Sequence, residues 1–311
     1  MRVAFVEAVD DALARDPKSL FITGDLGFNA FENLVVKYGA RFINAGVAEQ
    51  SMIGLAAGVA LTGLRPWVYS IAPFATYRCV EQIRNDLCLH RLPVCVVGNG
   101  GGFTYGIMGP THHALEDLAV LKALPNIQLF FPCASDQVAA AVGSIAALDG
   151  PSYLRLAVSA YDTACAPISE NPLTLTRSYA KRSDAREPAA TVIGAGHGVQ
   201  VALRALAAHG LDRENVDVFG MTRFPFRLAD DSALMASVLE TKKVVFVEEH
   251  YAAGGMGESL RLALPSQVDF SLLSASYRPD QRYGSAAFHM HQTQLTPEVL
   301  VELVRARLSA P

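Results

Sequence analysis

Through the first 160 residues, short runs that are apolar on both faces alternate with stretches of helical length, and this alternation limits the folds open to the chain. Ser19-Leu20-Phe21-Ile22-Thr23, Arg41-Phe42-Ile43-Asn44, Trp67-Val68-Tyr69-Ser70, Val94-Cys95-Val96-Val97, Ile127-Gln128-Leu129-Phe130 and Tyr153-Leu154-Arg155-Leu156 read as strands. Strands covered on both faces belong to a parallel sheet with helices on either side. Stretches of helical length lie between them, near residues 3–15, 48–62, 74–90, 114–123 and 135–148. Strand and helix patterns resume at Ala190-Thr191-Val192-Ile193, Val216-Asp217-Val218-Phe219 and Lys243-Val244-Val245-Phe246-Val247, closing with a helix over 297–308. The expected class is α/β with two doubly wound domains, the larger one mostly parallel and the C-terminal one smaller.

Between about Ser159 and Arg186 the periodicity fails and Pro, Ser, Thr and Asn accumulate, the composition of a surface connection. The domains are therefore placed at 1–160 and 188–311, with a linker over 161–187. At 311 residues each part can bury its own core.

Composition removes several classes of function. Hydrophobic residues make up 51% and charged ones 18%, which excludes a disordered chain. The net charge is −4 and no Lys/Arg block occurs, so nucleic acid is excluded as a partner. The apolar run from Met52 to Leu64 is roughly 13 residues and carries glycines, too short for a membrane span, and acids interrupt the N-terminal segment where a signal peptide needs its apolar core. Five cysteines without a C-x-x-C spacing fit reduced structural thiols in a cytoplasmic protein.

Three segments carry chemistry. Gly46-Val47-Ala48-Glu49-Gln50 begins a helix directly after a strand, where an open α/β sheet places its ligands. An acid there also favours a helix N-terminus through the macrodipole. The small residues Gly54, Ala57 and Gly58 suggest close helix packing, and enclosure of Glu49 would raise its pKa through desolvation. In the second segment Phe74, Tyr77 and Glu81 share one helical face, a pattern of core packing as much as of a cofactor platform. The third, Gly98-Asn99-Gly100-Gly101-Gly102 through Gly109-Pro110-Thr111-His112-His113, runs from a buried strand into a glycine-dense loop and a histidine pair. Glycines permit close backbone approach and histidine titrates near neutrality, but the loop lacks a P-loop ending.

In this order, the three segments resemble the pyrimidine-binding domain of transketolases, and Tyr251-Ala252-Ala253-Gly254-Gly255-Met256-Gly257 resembles the glycine turn of that family's C-terminal domain. The resemblance implies thiamine diphosphate as cofactor, with Glu49 hydrogen-bonding the aminopyrimidine and promoting the tautomer that activates it. It implies that Phe74 stacks on the pyrimidine, that Tyr77 lines the same pocket, and that Asp25 and Leu26 pass near the cofactor's reactive edge. His112 matches a histidine facing the substrate carbonyl and hydroxyls, and His113, Gly100 and Met108 fall at neighbouring substrate positions. Glu49 and His112 are thus the expected catalytic residues.

Departures from the family pattern are equally informative. The family holds the diphosphate through Mg2+ or another divalent cation bound by Gly-Asp-Gly followed further on by Asn, whereas this chain has only Gly24-Asp25-Leu26. No metal ligand is assigned here. The expectation is the C-terminal subunit of a split transketolase, completed by a separate N-terminal subunit that carries metal and diphosphate, in a dimer or heterotetramer. Sugar-phosphate transketolases carry an acidic pair and a further histidine where this chain has Ile107-Met108 and Gly100, and an arginine where it has Val158, with Arg155 nearby. The expected donor is therefore a modified or less phosphorylated ketose, or a small ketoacid.

Alternatives are a 1-deoxyxylulose-5-phosphate-synthase-like subunit, a 2-oxoacid dehydrogenase E1 β-type subunit, or a non-catalytic stabilising partner. Two signals are discounted. In Gly194-Ala195-Gly196-His197-Gly198 the third glycine misses its dinucleotide-loop position, and His289 and His291 are read as incidental rather than metal-binding.

Overall fold

A computed structural model of the chain describes residues 1–156, 169–171, 176–180, 190–209, 216–278 and 282–309. The first sheet contains β1 (Ser19–Thr23), β2 (Phe42–Asn44), β3 (Arg65–Ile71), β4 (Cys95–Asn99), β5 (Gln128–Phe130) and β6 (Ser152–Leu156), all parallel, in the order β5-β6-β4-β3-β1-β2. Every residue of β1, β4 and β6 is buried, as two covered faces require. One face packs on the helices Arg2–Arg15 and Val138–Ala146 through Phe5, Val9, Val142 and Ile145. The other packs on the helix Glu49–Leu61 through Met52, Ile53 and Ala56, each large apolar side chain contributing about 1.5–3 kcal/mol on burial.

The second sheet is built from β7 (Ser169–Asn171), β8 (Thr176–Ala180), β9 (Ala190–Ala195), β10 (Val216–Met221), β12 (Lys243–Tyr251) and β13 (Asp269–Ala275), in the order β13-β12-β9-β10-β8-β7. β13, β12, β9 and β10 are parallel, while β8 and β7 join antiparallel. Of the segment read as a linker, 169–171 and 176–180 form strands; the remainder of 161–187, like Val158 and Cys165, lies outside the described residues. The other four cysteines are buried and unbridged.

The two sheets share a core. The two-residue strand β11 (Arg223–Phe224) follows the second sheet's β10 but pairs antiparallel with β5 on the edge of the first. One hydrophobic cluster joins Ile53, Val96 and Leu118 to Ile193, Phe246 and Met256. A second joins Phe103 and Leu115 of the glycine loop to Val192, Val247 and Leu300. The Gly194–Gly198 turn serves this packing: a Cβ at Gly198 would lie 2.1 Å from the Val247 carbonyl oxygen. The stretch expected as one helix over 74–90 is broken, running as a helix at Ala72–Thr76, a 3-10 turn at Tyr77–Cys79, a short helix at Val80–Gln82 and a π-helix at Ile83–Cys88. No helix among the described residues is long and apolar enough to cross a membrane.

β12 buries three titratable residues in succession, Glu248, Glu249 and His250. Burial pushes the Glu248 carboxyl up to about 7, although Met256 and Gly257 donate backbone N–H bonds to it, and burial pushes His250 down to about 4. An acid whose pKa rises on folding weakens the fold as pH climbs from its ordinary 4.5 to about 7, because only the native state still holds the proton. Glu248→Gln is therefore expected to gain stability relative to the parent chain over that interval, by about 2–3 kcal/mol in all. Urea unfolding of both proteins from pH 4.5 to 8 checks it; a pH-independent difference would contradict the assignment.

Candidate active site

Glu49 opens the helix Glu49–Leu61 at the C-terminal end of the first sheet and is 1% exposed. The enclosure expected from the small residues around it is present, and the carboxylate is satisfied rather than orphaned. Ser70 Oγ, at the end of β3, donates to Oε1 at 3.2 Å and Arg78 Nη1 donates to Oε2 at 2.9 Å. The guanidinium of Arg78 also lies 4.7 Å from the Phe74 ring centroid, so one planar cation bridges an aromatic face and a buried carboxylate. Arg78 is 47% exposed and stands at the i,i+4 spacing from Phe74 that a cation–aromatic pair uses on a helix, the one signal in the sequence that points to it.

Phe74 and Tyr77 are both half-buried and face different groups. Phe74 meets the His112 ring edge-on at 5.0 Å, whereas the Tyr77 hydroxyl donates to Glu116 Oε2 at 2.8 Å and accepts from the Glu116 backbone N–H at 3.2 Å. Burial, reinforced by the negative charges of Asp117 and Glu116, pushes the Tyr77 phenol well above its ordinary range.

The glycine loop is closed at its base by paired backbone bonds between Gly102 and Ala114, at 2.9 and 3.0 Å. Within it a 3-10 turn over Pro110–His112 turns consecutive histidines apart. His112 faces Phe74 and, at 6.1 Å, Tyr105, with Nδ1 3.0 Å from Thr111 Oγ1. His113 turns to Phe103 and His289, with ring centroids 5.2 and 4.6 Å away. Burial, with the positive charge of His289 and His112 adding to it, lowers its pKa. His289 is buried, stacked on Phe103 at 5.2 Å, and its Nε2 is 3.2 Å from the Gly106 carbonyl oxygen. No His/Cys/Asp/Glu cluster among the described residues could hold a metal ion.

The remaining expected positions are spread around this centre. Gly100 is buried, and a Cβ there would lie 2.1 Å from the Tyr105 ring. Met108 and Ile107 are 50% and 72% exposed at the loop tip. Asp25 adopts φ 58° in the turn after β1. Its backbone N–H donates to Asn44 Oδ1 at 3.0 Å and its carboxylate accepts from Asn44 Nδ2 at 2.9 Å, while Gly46 N–H shares the same Asn44 oxygen. This ties the Asp25-Leu26 turn to the segment that delivers Glu49. Leu26 is half-buried, and its carbonyl accepts from Thr23 Oγ1 at 2.9 Å. A cavity of about 180 Å³ opens behind the histidine turn, lined by Phe103, His113, Glu116, Tyr251 and Arg278 among others, but Glu49, Phe74 and His112 do not border it.

Arg155 holds the loop from below. It is buried with Asp117, donating from Nε to Asp117 Oδ2 at 2.9 Å and from Nη2 to the carbonyls of Ala114 at 2.7 Å and Glu249 at 3.3 Å. Glu249 Oε1 accepts the Phe103 N–H at 3.0 Å. Gly102 has φ +65°, and a Cβ there would lie 2.1 Å from Glu249 Oε2. Gly102→Ala is therefore expected to displace the Glu249 side chain and destabilise the protein by about 2–4 kcal/mol, from backbone strain and a lost buried charged contact. A thermal midpoint indistinguishable from that of the parent chain would refute this.

Residues 1–163 match the family described as the transketolase pyrimidine-binding domain, and residues 178–279 match the transketolase C-terminal domain. The chain is 28% identical over 265 residues to an apulose-4-phosphate transketolase subunit of Phocaeicola vulgatus, covering 82% of this chain and 80% of the relative. It is 30% identical over 264 residues to a 6-deoxy-6-sulfo-D-fructose transketolase subunit of a Clostridium species, covering 83% and 79% respectively. Among solved structures it is similar to a split-gene transketolase determined as an inactive β4 tetramer, with a TM-score of 0.81 and 27% identity, covering 98% of this chain and 97% of that one.

Proposed function

The chain belongs to the transketolase family, and from that premise we propose that it is the C-terminal subunit of a split, thiamine-diphosphate-dependent transketolase that moves a two-carbon ketol unit from a ketose donor to an aldehyde acceptor. The observation that carries this reading is the pairing of the buried Glu49 carboxylate with a planar nitrogen donor, Arg78, stacked over Phe74. A flat group bearing an N–H donor thus fits between carboxylate and ring, and a protonated aminopyrimidine edge has that character. Thiamine diphosphate supplies a thiazolium carbon able to add to a ketose carbonyl and stabilise the charge left when the adjacent C–C bond breaks.

The chain's own residues take defined parts. Glu49, held by Ser70, accepts the hydrogen bond from the pyrimidine ring nitrogen and so fixes the site of proton exchange. Phe74 provides the ring face, with Tyr77 beside it, anchored by Glu116. His112, its Nδ1 beside the Thr111 hydroxyl, presents its imidazole toward the substrate oxygens and exchanges a proton there. Asp25 and Leu26 line the approach to the cofactor's reactive edge.

A separate N-terminal subunit supplies the diphosphate and divalent-cation site in this proposal. Asp25, the acid of the Gly24-Asp25-Leu26 turn, is engaged with Asn44 through both its amide and its carboxylate, which supports placing the metal ligands elsewhere. The solved β4 relative is described as inactive, as expected of chains that each hold part of a site. A division into two domains, one built on each sheet, and a heterotetramer with two such partners, belong to the same proposal. The apolar, exposed Ile107 and Met108 at the loop tip favour a modified or less phosphorylated ketose as donor, and the two relatives are themselves named for unusual ketoses.

The test is reconstitution with the N-terminal subunit, thiamine diphosphate and a divalent cation. The complex is expected to catalyse ketol transfer and the isolated chain none. Glu49→Gln is expected to assemble normally and lose turnover by about 10²–10⁴-fold. Retained turnover in that variant would mean that the chain only stabilises its partner.

A further inference from the structure

Tyr105 lies in the loop between Gly102 and Ala114, and nothing in its sequence neighbourhood marks it out. Its ring fills the space into which a side chain at position 100 would project, which is why Gly100, at φ +89°, is a glycine. The ring stands 6.1 Å from His112, on the imidazole that also meets Phe74 at 5.0 Å. Tyr105 is half-buried.

The hydrogen bonds of the loop determine what Tyr105 has to offer. Asn99, buried at the end of β4, donates from Nδ2 to the Tyr105 phenol oxygen at 2.8 Å. An amide nitrogen only donates, so this bond uses a lone pair of the phenol and leaves its proton free to donate elsewhere. The companion atom Asn99 Oδ1 is buried and has no protein partner, so the Asn99–Tyr105 pair is not closed on itself. The other hydroxyls of the loop are committed: Thr104 Oγ1 donates to the Gly101 carbonyl at 2.6 Å, and Thr111 Oγ1 pairs with His112 Nδ1 at 3.0 Å. Ile107 and Met108 bring no polar group. Burial raises the Tyr105 phenol pKa, so the proton is retained at neutral pH.

We propose that Tyr105 is a substrate-specificity residue whose phenol donates a hydrogen bond to an oxygen on the substrate chain, beyond the carbonyl that His112 faces. A substrate long enough to place a hydroxyl or anionic oxygen there gains a bond, and a two-carbon aldehyde does not reach it. The inference rests on the transketolase reading and adds the group that distinguishes polyhydroxylated substrates from short ones.

The experiment uses the complex reconstituted with the N-terminal subunit and thiamine diphosphate, with Tyr105→Phe, which keeps the ring beside Gly100 and removes only the hydroxyl. kcat/KM is measured for a five-carbon polyhydroxy aldehyde and for glycolaldehyde as acceptors, with cofactor affinity followed by fluorescence titration. A loss of about tenfold is expected for the long acceptor, carried by KM, against under about twofold for glycolaldehyde, with cofactor affinity unchanged. The double variant Asn99→Leu/Tyr105→Phe leaves no amide unpaired and is expected to show the same contrast, so loss of folding in the single variant does not decide the matter. Equal losses for both acceptors, or none for either, would overturn the assignment while leaving the transketolase reading intact. A parent complex with no ketol transfer to any acceptor would remove both.

Discussion

The buried pair of Arg155 and Asp117 is the interaction on which the placement of the candidate site depends. Both side chains are almost fully enclosed, at 7% and 0% exposure, so neither charge is tolerable without the other. The arginine also donates from Nη2 to two carbonyls, Ala114 at the end of the glycine loop and Glu249 on β12. Tyr153, two residues away on the same strand, donates its hydroxyl to the same Asp117 oxygen at 2.7 Å. One guanidinium thus fastens the first sheet, the histidine-bearing loop and the second sheet together. Removing one member of such a pair leaves an uncompensated charge, at a cost of about 3–5 kcal/mol.

The second sheet therefore belongs to the construction of the site although it contributes none of Glu49, Phe74 or His112. Glu249 holds the Phe103 N–H, and Phe103 and Leu115 sit in the second sheet's hydrophobic cluster. The helix Ala286–Gln292 closes on the loop from outside. His289 Nε2 lies 3.2 Å from the Gly106 carbonyl, and a Cβ on Gly106 would lie 2.7 Å from the Gly284 carbonyl oxygen. The loop's glycines serve these close approaches on three sides, and a cradle of backbone N–H groups for a phosphate is not what they build. The outcome is a loop whose backbone is fixed by both halves of the chain, with His112 aimed toward Phe74.

The first sheet is legible in the sequence because its six parallel strands are short, most of them apolar on both faces and set beside a helix-length stretch, a pattern few other folds produce. β11 is not legible: two residues, Arg223 and Phe224, carry no periodicity, and their pairing with β5 is decided by the shared core. The break after Thr76 is hidden for a similar reason, since apolar spacing cannot distinguish a continuous helix from 3-10 and π turns that keep the same residues inward. Glu49, Phe74 and His112 stand out because their residue types match a known chemistry at the ends of parallel strands. Ser70 and Tyr105 do not, and Arg78 shows only its spacing from Phe74, because their significance lies in contacts that residue type does not reveal. The sequence places Arg155 near the position where the family carries an arginine, while its buried partner Asp117, 38 residues away, is not visible in it.

The adjacent histidines show how little sequence distance says about role. A 3-10 turn at Pro110–His112 followed by an extended His113, at φ −77° and ψ 136°, sends the two rings to opposite sides of the loop. His113 lands between Phe103 and His289, where burial lowers its pKa. His112 keeps a hydroxyl at one nitrogen and an aromatic ring on either side. The separation of the two rings rests on the backbone conformation that Gly109 and Pro110 impose, with Gly109 at φ +82° setting the turn and Tyr283 packed against the place its Cβ would occupy.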